Sequence, residues 1–274
     1  MKIAIQGFEG CFHQVAAQEF FGKQTEVESC ASFAELIRKV KHQPDVDAGI
    51  MAIENSIAGS ILPNYTLIKN SGLHITGEIY LQINQHLMTL PGQSMEDIRE
   101  VHSHPMALLQ CMDFLEKYPH IKLVETEDTA LSARHVRQKK LKTTAAIAGK
   151  LAADIFELEI IAPNIHTNKN NYTRFLAVSR NSVTTPPDAN KASVYFQTSH
   201  DRGSLAKVLT KIADAGINLS KLQSFPIPAK EWNYYFHADM EFDNPAHFEK
   251  GLGEILPLTE HLKVLGIYKK GNTH

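Results

Sequence analysis

Ala48-Gly49-Ile50-Met51-Ala52-Ile53-Glu54-Asn55-Ser56 runs through six small or apolar residues and then turns polar. An unbroken apolar run of this length, bounded by turn signals, reads as a strand buried on both faces, as in parallel sheets covered by helices. Upstream, Pro44 stops the helical pattern of Phe33 to Gln43. The end of the strand then delivers Glu54, Asn55 and Ser56 to the carboxyl edge of a sheet, where open α/β folds hold their ligands.

The same alternation extends over residues 2–180. Lys2-Ile3-Ala4-Ile5-Gln6 reads as a strand, and Phe12 to Phe21 as a helix ended by Gly22. Pro105 stands where a first helical turn tolerates proline, and Ala107 to Tyr118 keep helical period until Pro119. Ile121 to Val124 is a strand and Thr129 to Lys140 a helix. The pattern predicts an α/β layout with a mostly parallel sheet. Gly7 to Gly10, Glu54 to Gly59, Ser103-His104 and Asp128-Thr129 all fall at strand ends.

Residues 181–190 break the pattern with turn formers and no apolar period, and read as a linker. Beyond it, Lys191 to Thr198, Ile217 to Phe225, Trp232 to Phe242 and Leu262 to Tyr268 read as strands. Gly203 to Asp214 and Pro245 to Leu256 read as helices, giving the ferredoxin-like order βαββαβ.

With 274 residues and 43% hydrophobic content, the chain can build two domains without disulfides. A net charge of -2, with no basic stripe, gives no footprint for nucleic acid. No apolar run reaches the ~18 residues of a membrane helix. Cys11, Cys30 and Cys111 are scattered, and Met1 to Ile5 enter a strand pattern directly, so reduced thiols in a cytoplasm are expected. The fourteen histidines are dispersed, and His102 and His104 would share a strand face without a Cys or acidic partner at ligand spacing. Surface or core histidines, rather than a metal site, are expected.

Asn171-Tyr172-Thr173-Arg174-Phe175 opens a further strand, Phe175-Leu176-Ala177-Val178. Its period places Thr173 and Phe175 on one face and Tyr172 and Arg174 on the other. A hydroxyl, an amide and a guanidinium within five residues suit an anionic, oxygen-rich ligand. Each motif also has a plainer reading. Thr173 could be a β-branched packing residue. Asn55 or Ser56 could cap the helix near Ile61, and Asp128 the one that follows it. Ser103 or His104 could cap the helix containing Pro105, with His104 also able to supply a proton. Gly7-Phe8-Glu9-Gly10 could be an ordinary turn, or could bring backbone N–H groups to an anion. Cys11, at a helix N-terminus, is either a thiol of lowered pKa or a small buried hydrophobe.

Taken together, Gly7-Phe8-Glu9-Gly10-Cys11-Phe12, Ile53-Glu54-Asn55-Ser56 with Gly59, Val101-His102-Ser103-His104-Pro105 with Gln110-Cys111, Asp128-Thr129-Ala130 and Asn171-Tyr172-Thr173-Arg174-Phe175 resemble the prephenate dehydratase family. Residues 191–270, with Gly203-Ser204-Leu205 and Asn218-Leu219, resemble an ACT regulatory domain. The resemblance implies a two-lobed catalytic half over residues 1–180, like periplasmic binding proteins, with a second lobe near 80–163 inserted and the active site in the cleft. It implies cofactor-free conversion of prephenate to phenylpyruvate in phenylalanine biosynthesis. It also implies homodimers or homotetramers with phenylalanine held by Gly203, Ser204, Leu205, Asn218 and Leu219. The alternatives are an arogenate dehydratase, or a non-catalytic amino-acid sensor. Three positions depart from the family. His13 stands at a usual Ser, Asn64 near a usual Asp, and Gln223-Ser224-Phe225-Pro226 at Glu-Ser-Arg-Pro.

The reaction expels CO2 and water, and hydroxide leaves poorly without a proton or strong hydrogen bond. The resemblance places Thr173 to donate it. Arg174 suits a carboxylate that keeps its charge, or a structural pair holding the cleft. Asn55, Ser56, Ser103, His104, Thr129 and Asn171 are expected anchors, with Gly10, Phe12 and Phe175 at the site. Glu54 is a proton reservoir or an orienting group, and its charge beside a dianion favours the second role.

Overall fold

The computed structural model describes residues 1–181, 184–227 and 233–272. Two compact units emerge, Met1–Ile61 with Tyr80–Phe175, and Leu62–Ile79 with Leu176–His274.

The chain begins β1 (Lys2–Gln6), α1 (Phe12–Phe21), β2 (Glu26–Cys30), α2 (Phe33–His42), β3 (Ala48–Asn55), β4 (Gly59–Ser60), α3 (Leu62–Ser71) and β5 (His74–Gln82). Helix α2 shows why these boundaries form. Ser32 caps it by accepting from the Glu35 N–H at 3.2 Å, and Lys39, Lys41 and His42 face the negative dipole end. Its Leu36, Ile37 and Val40 are buried. In β3, all of Ala48 to Ile53 are buried, as the apolar run predicted.

Next come β6 (His86–Thr89), β7 (Glu100–Ser103), α4 (Pro105–Gln110), α5 (Met112–Leu115), β8 (Lys122–Glu125), α6 (Thr129–Gln138), β9 (Thr144–Ala148), α7 (Lys150–Phe156), β10 (Glu159–Ala162) and β11 (Tyr172–Ser179). One sheet has the order β2-β1-β3-β11-β5, with β4 paired to β3. A second, β10-β6-β9-β7-β8, is built wholly from residues between His86 and Ala162. The expectation of mostly parallel pairing holds for β1 with β2 and β3, and for β7 with β8 and β9. It fails where β6 pairs antiparallel with β9 and β10, strands not read from the sequence. The single helix expected over Ala107 to Tyr118 is two, because Cys111 leaves helical geometry at φ -109°, ψ 10°.

The second unit contains β12 (Lys191–Gln197), α8 (Ser204–Asp214), β13 (Asn218–Pro226), β14 (Tyr234–Glu241), α9 (Pro245–Ile255) and β15 (Glu260–Tyr268). The βαββαβ order closes an antiparallel sheet β13-β14-β12-β15. Val208, Ile212, Phe248 and Ile255 cover it from the two helices. Ser182, Val183 and Trp232, read as linker and strand residues, lie outside the described residues.

Among the described residues, no cluster of His, Cys, Asp or Glu could hold a metal ion. His102 instead pairs with Glu100 at 2.9 Å. No helix is long and apolar enough to cross a membrane.

Candidate active site

Asn55 ends β3, and its amide fixes the centre of the site. Its Oδ1 accepts from the N–H groups of Ile57 and Ala58 at 3.0 and 2.9 Å. That leaves Nδ2 aimed at β11, 3.0 Å from Thr173 Oγ1, 2.8 Å from Asn171 Oδ1 and 3.2 Å from the Tyr172 carbonyl. Two amide protons serve these three acceptors. Thr173 therefore accepts from Asn55 and keeps its own hydroxyl proton for another acceptor. Asn171 passes the polarity on, donating from Nδ2 to Gln110 Oε1 at 3.1 Å.

Ser56 stitches the same two segments. Its hydroxyl donates to the Asn170 carbonyl at 3.0 Å and accepts from the Tyr172 N–H at 2.9 Å. Neither Asn55 nor Ser56 caps α3, because both side chains are spent on the turn and on β11. At α4 and α6 the capping readings hold. His104 Nδ1 accepts from the Met106 N–H at 3.2 Å, and Asp128 Oδ1 from the Leu131 N–H at 2.8 Å.

A cavity of about 290 Å³ opens beside the Asn55–Thr173 pair. Of the residues expected at a site, Asn55, Thr173, Phe175, Phe12, His104 and Thr129 line it. Glu54, Ser56, Arg174, Gly10, Ser103 and Asn171 are not in its wall. Glu54 sits opposite Ser60 in the β3–β4 pairing. Arg174 is buried on the face of β11 opposite Thr173. Ser103 is fully buried and donates to the Ile147 carbonyl at 2.6 Å, within its own sheet. The Gly10 N–H is taken by Gln14 Oε1 at 2.7 Å. Glycine is required at this position, whose φ is +87°, because a Cβ would stand 3.0 Å from the Ala152 Cα.

Sequence reasoning did not single out His13 as a wall residue, and passed over Gln85, Ile83 and Gln110 as individuals. Two of them carry a prior signal, Gln110 as part of Gln110-Cys111 and His13 as a departure from a usual Ser. Ile83 and Gln85 follow a strand whose mixed polarity hid it.

The lining holds no Lys or Arg among the described residues; its ionisable groups include the carboxyls of Glu127 and Asp128. Burial pushes the Asp128 carboxyl above the usual carboxylate range. Burial also pushes the Cys11 thiol up to about 12, and lowers the His13 imidazole to about 4. Cys11 is thus a buried hydrophobe rather than a nucleophile. The arrangement can hold an anionic ligand by neutral donors and present it a hydroxyl.

The prephenate dehydratase family model matches residues 3–183. The chain belongs to the prephenate dehydratase family. A bifunctional chorismate mutase/prephenate dehydratase of Aquifex aeolicus (strain VF5) is 35% identical over 98% of this chain and 74% of its own length. Among solved structures, one described as a novel type of quorum-quenching acylase matches at TM-score 0.89 and 30% identity, covering 98% of both chains. A prephenate dehydratase from Arthrobacter aurescens in complex with L-Phe matches at TM-score 0.87 over 98% of this chain and 90% of its own, and at 24% identity it speaks for the fold. The prephenate dehydratase fold thus extends over both units.

Proposed function

We propose that this protein converts prephenate to phenylpyruvate, CO2 and water in the cavity beside Thr173. The observation that carries this reading is the Asn55–Thr173 hydrogen bond at the wall of that cavity. Asn55 donates to Thr173 Oγ1, so the hydroxyl proton turns outward, toward the ring hydroxyl that leaves. As the C–O bond breaks, negative charge grows on the leaving oxygen, and a donor fixed beforehand stabilises that state more than the ground state. The ring carboxylate loses its charge into the ring, and a wall without Lys or Arg does not hold it back by an ion pair. Aromatisation drives both bond cleavages.

Glu54, Ser56, Ser103 and Asn171 support the site from behind its wall. Arg174 serves as a structural cation. The acylase activity named for the similar structure requires an activated nucleophile, and Thr173 faces an amide donor rather than a base. Metal and organic cofactors have no part in the proposed chemistry.

Domain boundaries follow the same reading, with a catalytic half over 1–180, an inserted lobe near 80–163, a linker at 181–190 and an ACT domain over 191–270. Gly203, with φ +79°, opens α8, and Ser204 and Leu205 line a pocket with Tyr234 and Phe236. Asn218 and Leu219 start β13, paired with Glu241 and Met240 at the far end of β14. The two groups stand toward opposite ends of β14, and in this reading phenylalanine binds between ACT domains of two copies, in a homodimer or homotetramer. The setting is cytoplasmic phenylalanine biosynthesis. Phenylpyruvate release from prephenate by the purified protein, unaffected by a chelator, is the expected result. An absence of product, or a rate restored only by added metal, contradicts the proposal.

A further inference from the structure

His13 is a wall residue that the proposed mechanism leaves unused. It is the second residue of α1, and its ring packs edge-on to Phe175 at 5.0 Å and tilted to Phe33 at 5.5 Å. The Ala52 N–H donates to Nε2 at 3.3 Å. Nε2 must then offer its lone pair, and a neutral imidazole carries its proton on Nδ1. Burial keeps the ring neutral well below neutral pH. Nδ1 has no partner among the described residues and is not among the buried polar atoms lacking one, so it is open, on a residue that lines the cavity.

We propose that His13 donates a hydrogen bond from Nδ1 to the ring carboxylate of the substrate. The inference rests on the prephenate reading above and adds the group that holds the departing carboxylate. Thr173 and Phe175 point from the same face of β11, about 6.6 Å apart at the usual strand rise. His13 packs on Phe175 and lines the same cavity as Thr173, so a ring held in that cavity can present one end to the Thr173 hydroxyl and the other toward His13. The 4-hydroxyl and the ring carboxylate of prephenate occupy those ends. The surroundings suit this assignment. Phe33, Phe175 and Ala52 form an apolar setting with one neutral donor, which orients a carboxylate without pinning its charge.

The test compares His13→Phe, which keeps a ring and removes both nitrogens, with His13→Gln, which restores a neutral N–H. Phenylpyruvate, the product, lacks the ring carboxylate and reports on the rest of the cavity. The Phe variant is expected to lower kcat/KM about tenfold, with the loss in KM, the size of one neutral hydrogen bond. Its inhibition constant for phenylpyruvate is expected to stay within twofold of wild type, and the Gln variant to recover part of the loss. Equal weakening of prephenate and phenylpyruvate, or no change in either, overturns the proposal. If the variants do not fold, nitrogen-15 NMR of the wild-type histidines decides. A neutral Nδ1–H tautomer at His13 is required, and an Nε2–H tautomer rules it out. A wild-type protein inactive on prephenate would fail the functional reading first, and is seen before any variant is made.

Discussion

At the scale of single residues, the proposed chemistry depends on which way Asn55 and Thr173 donate. Asn55→Asp preserves shape but turns a carboxylate toward Thr173 and Asn171, both of which now accept from the amide. The hydroxyl proton of Thr173 would then point back at the carboxylate. A loss in kcat of roughly 10²-fold or more is expected, the low end for an acid-type contact, and steady-state kinetics would show it. The thiols give a second residue-scale prediction. Burial raises Cys11 and Cys111 to about 12 and Cys30 to about 11. Iodoacetamide at pH 8 should leave all three unmodified in the folded protein and label all three after unfolding, as intact-mass measurement would reveal. Fast labelling of Cys11 in the folded state would refute its assignment as a buried hydrophobe. Much at this scale was legible beforehand. The face alternation of Thr173 and Arg174 needs only the strand period, and it separates the cavity-facing hydroxyl from the buried guanidinium. The hydrogen-bonding of Ser103 to Ile147 was not legible, because nothing local reveals which strand lies beside β7.

Among the elements, the best-read ones had both a clean period and a chemical stop. Helix α2 ends at Pro44, and α6 starts at the Asp128 cap. Strands β6, β9 and β10 went unread because four or five residues of mixed or mostly small character carry no period of their own. Their pairing is decided by tertiary neighbours. The glycine turn before α1 has a packing cause in the structure. Gly10 admits the backbone of α7. Gly10→Ala should therefore lower stability by about 1–3 kcal/mol from the positive φ and the crowded Ala152. Urea titration would measure it. A change below about 0.5 kcal/mol would mean that α7 yields freely.

Across the whole molecule, the second unit is held by a buried ion pair. Lys191 Nζ lies 3.0 and 3.1 Å from the two carboxylate oxygens of Glu78, with both side chains almost fully buried. The Gly271 N–H adds a bond to Glu78 Oε1 at 3.1 Å, tying the chain beyond β15 to β5. Lys191→Met would take the lysine charge away from a buried carboxylate, and a loss of about 3–5 kcal/mol is expected. Adding Glu78→Leu should recover most of it. Denaturant midpoints of the single and double variants would check this, and a double variant no better than the single would disprove the ion-pair account. Near the same unit's sheet edge, Phe225 stacks on Tyr235 at 4.9 Å and stands 5.8 Å from Tyr65 in α3. Phe225, read from the sequence as a lost charge, is an aromatic packing position.

The most direct measurement is the rate of phenylpyruvate formation from prephenate by wild type, Thr173→Ala and Thr173→Ser. The hydroxyl donor predicts turnover by wild type, a fall in kcat of roughly 10²–10⁴-fold in the Ala variant, and a substantial share of activity in the Ser variant. Near-equal rates for all three proteins would contradict it.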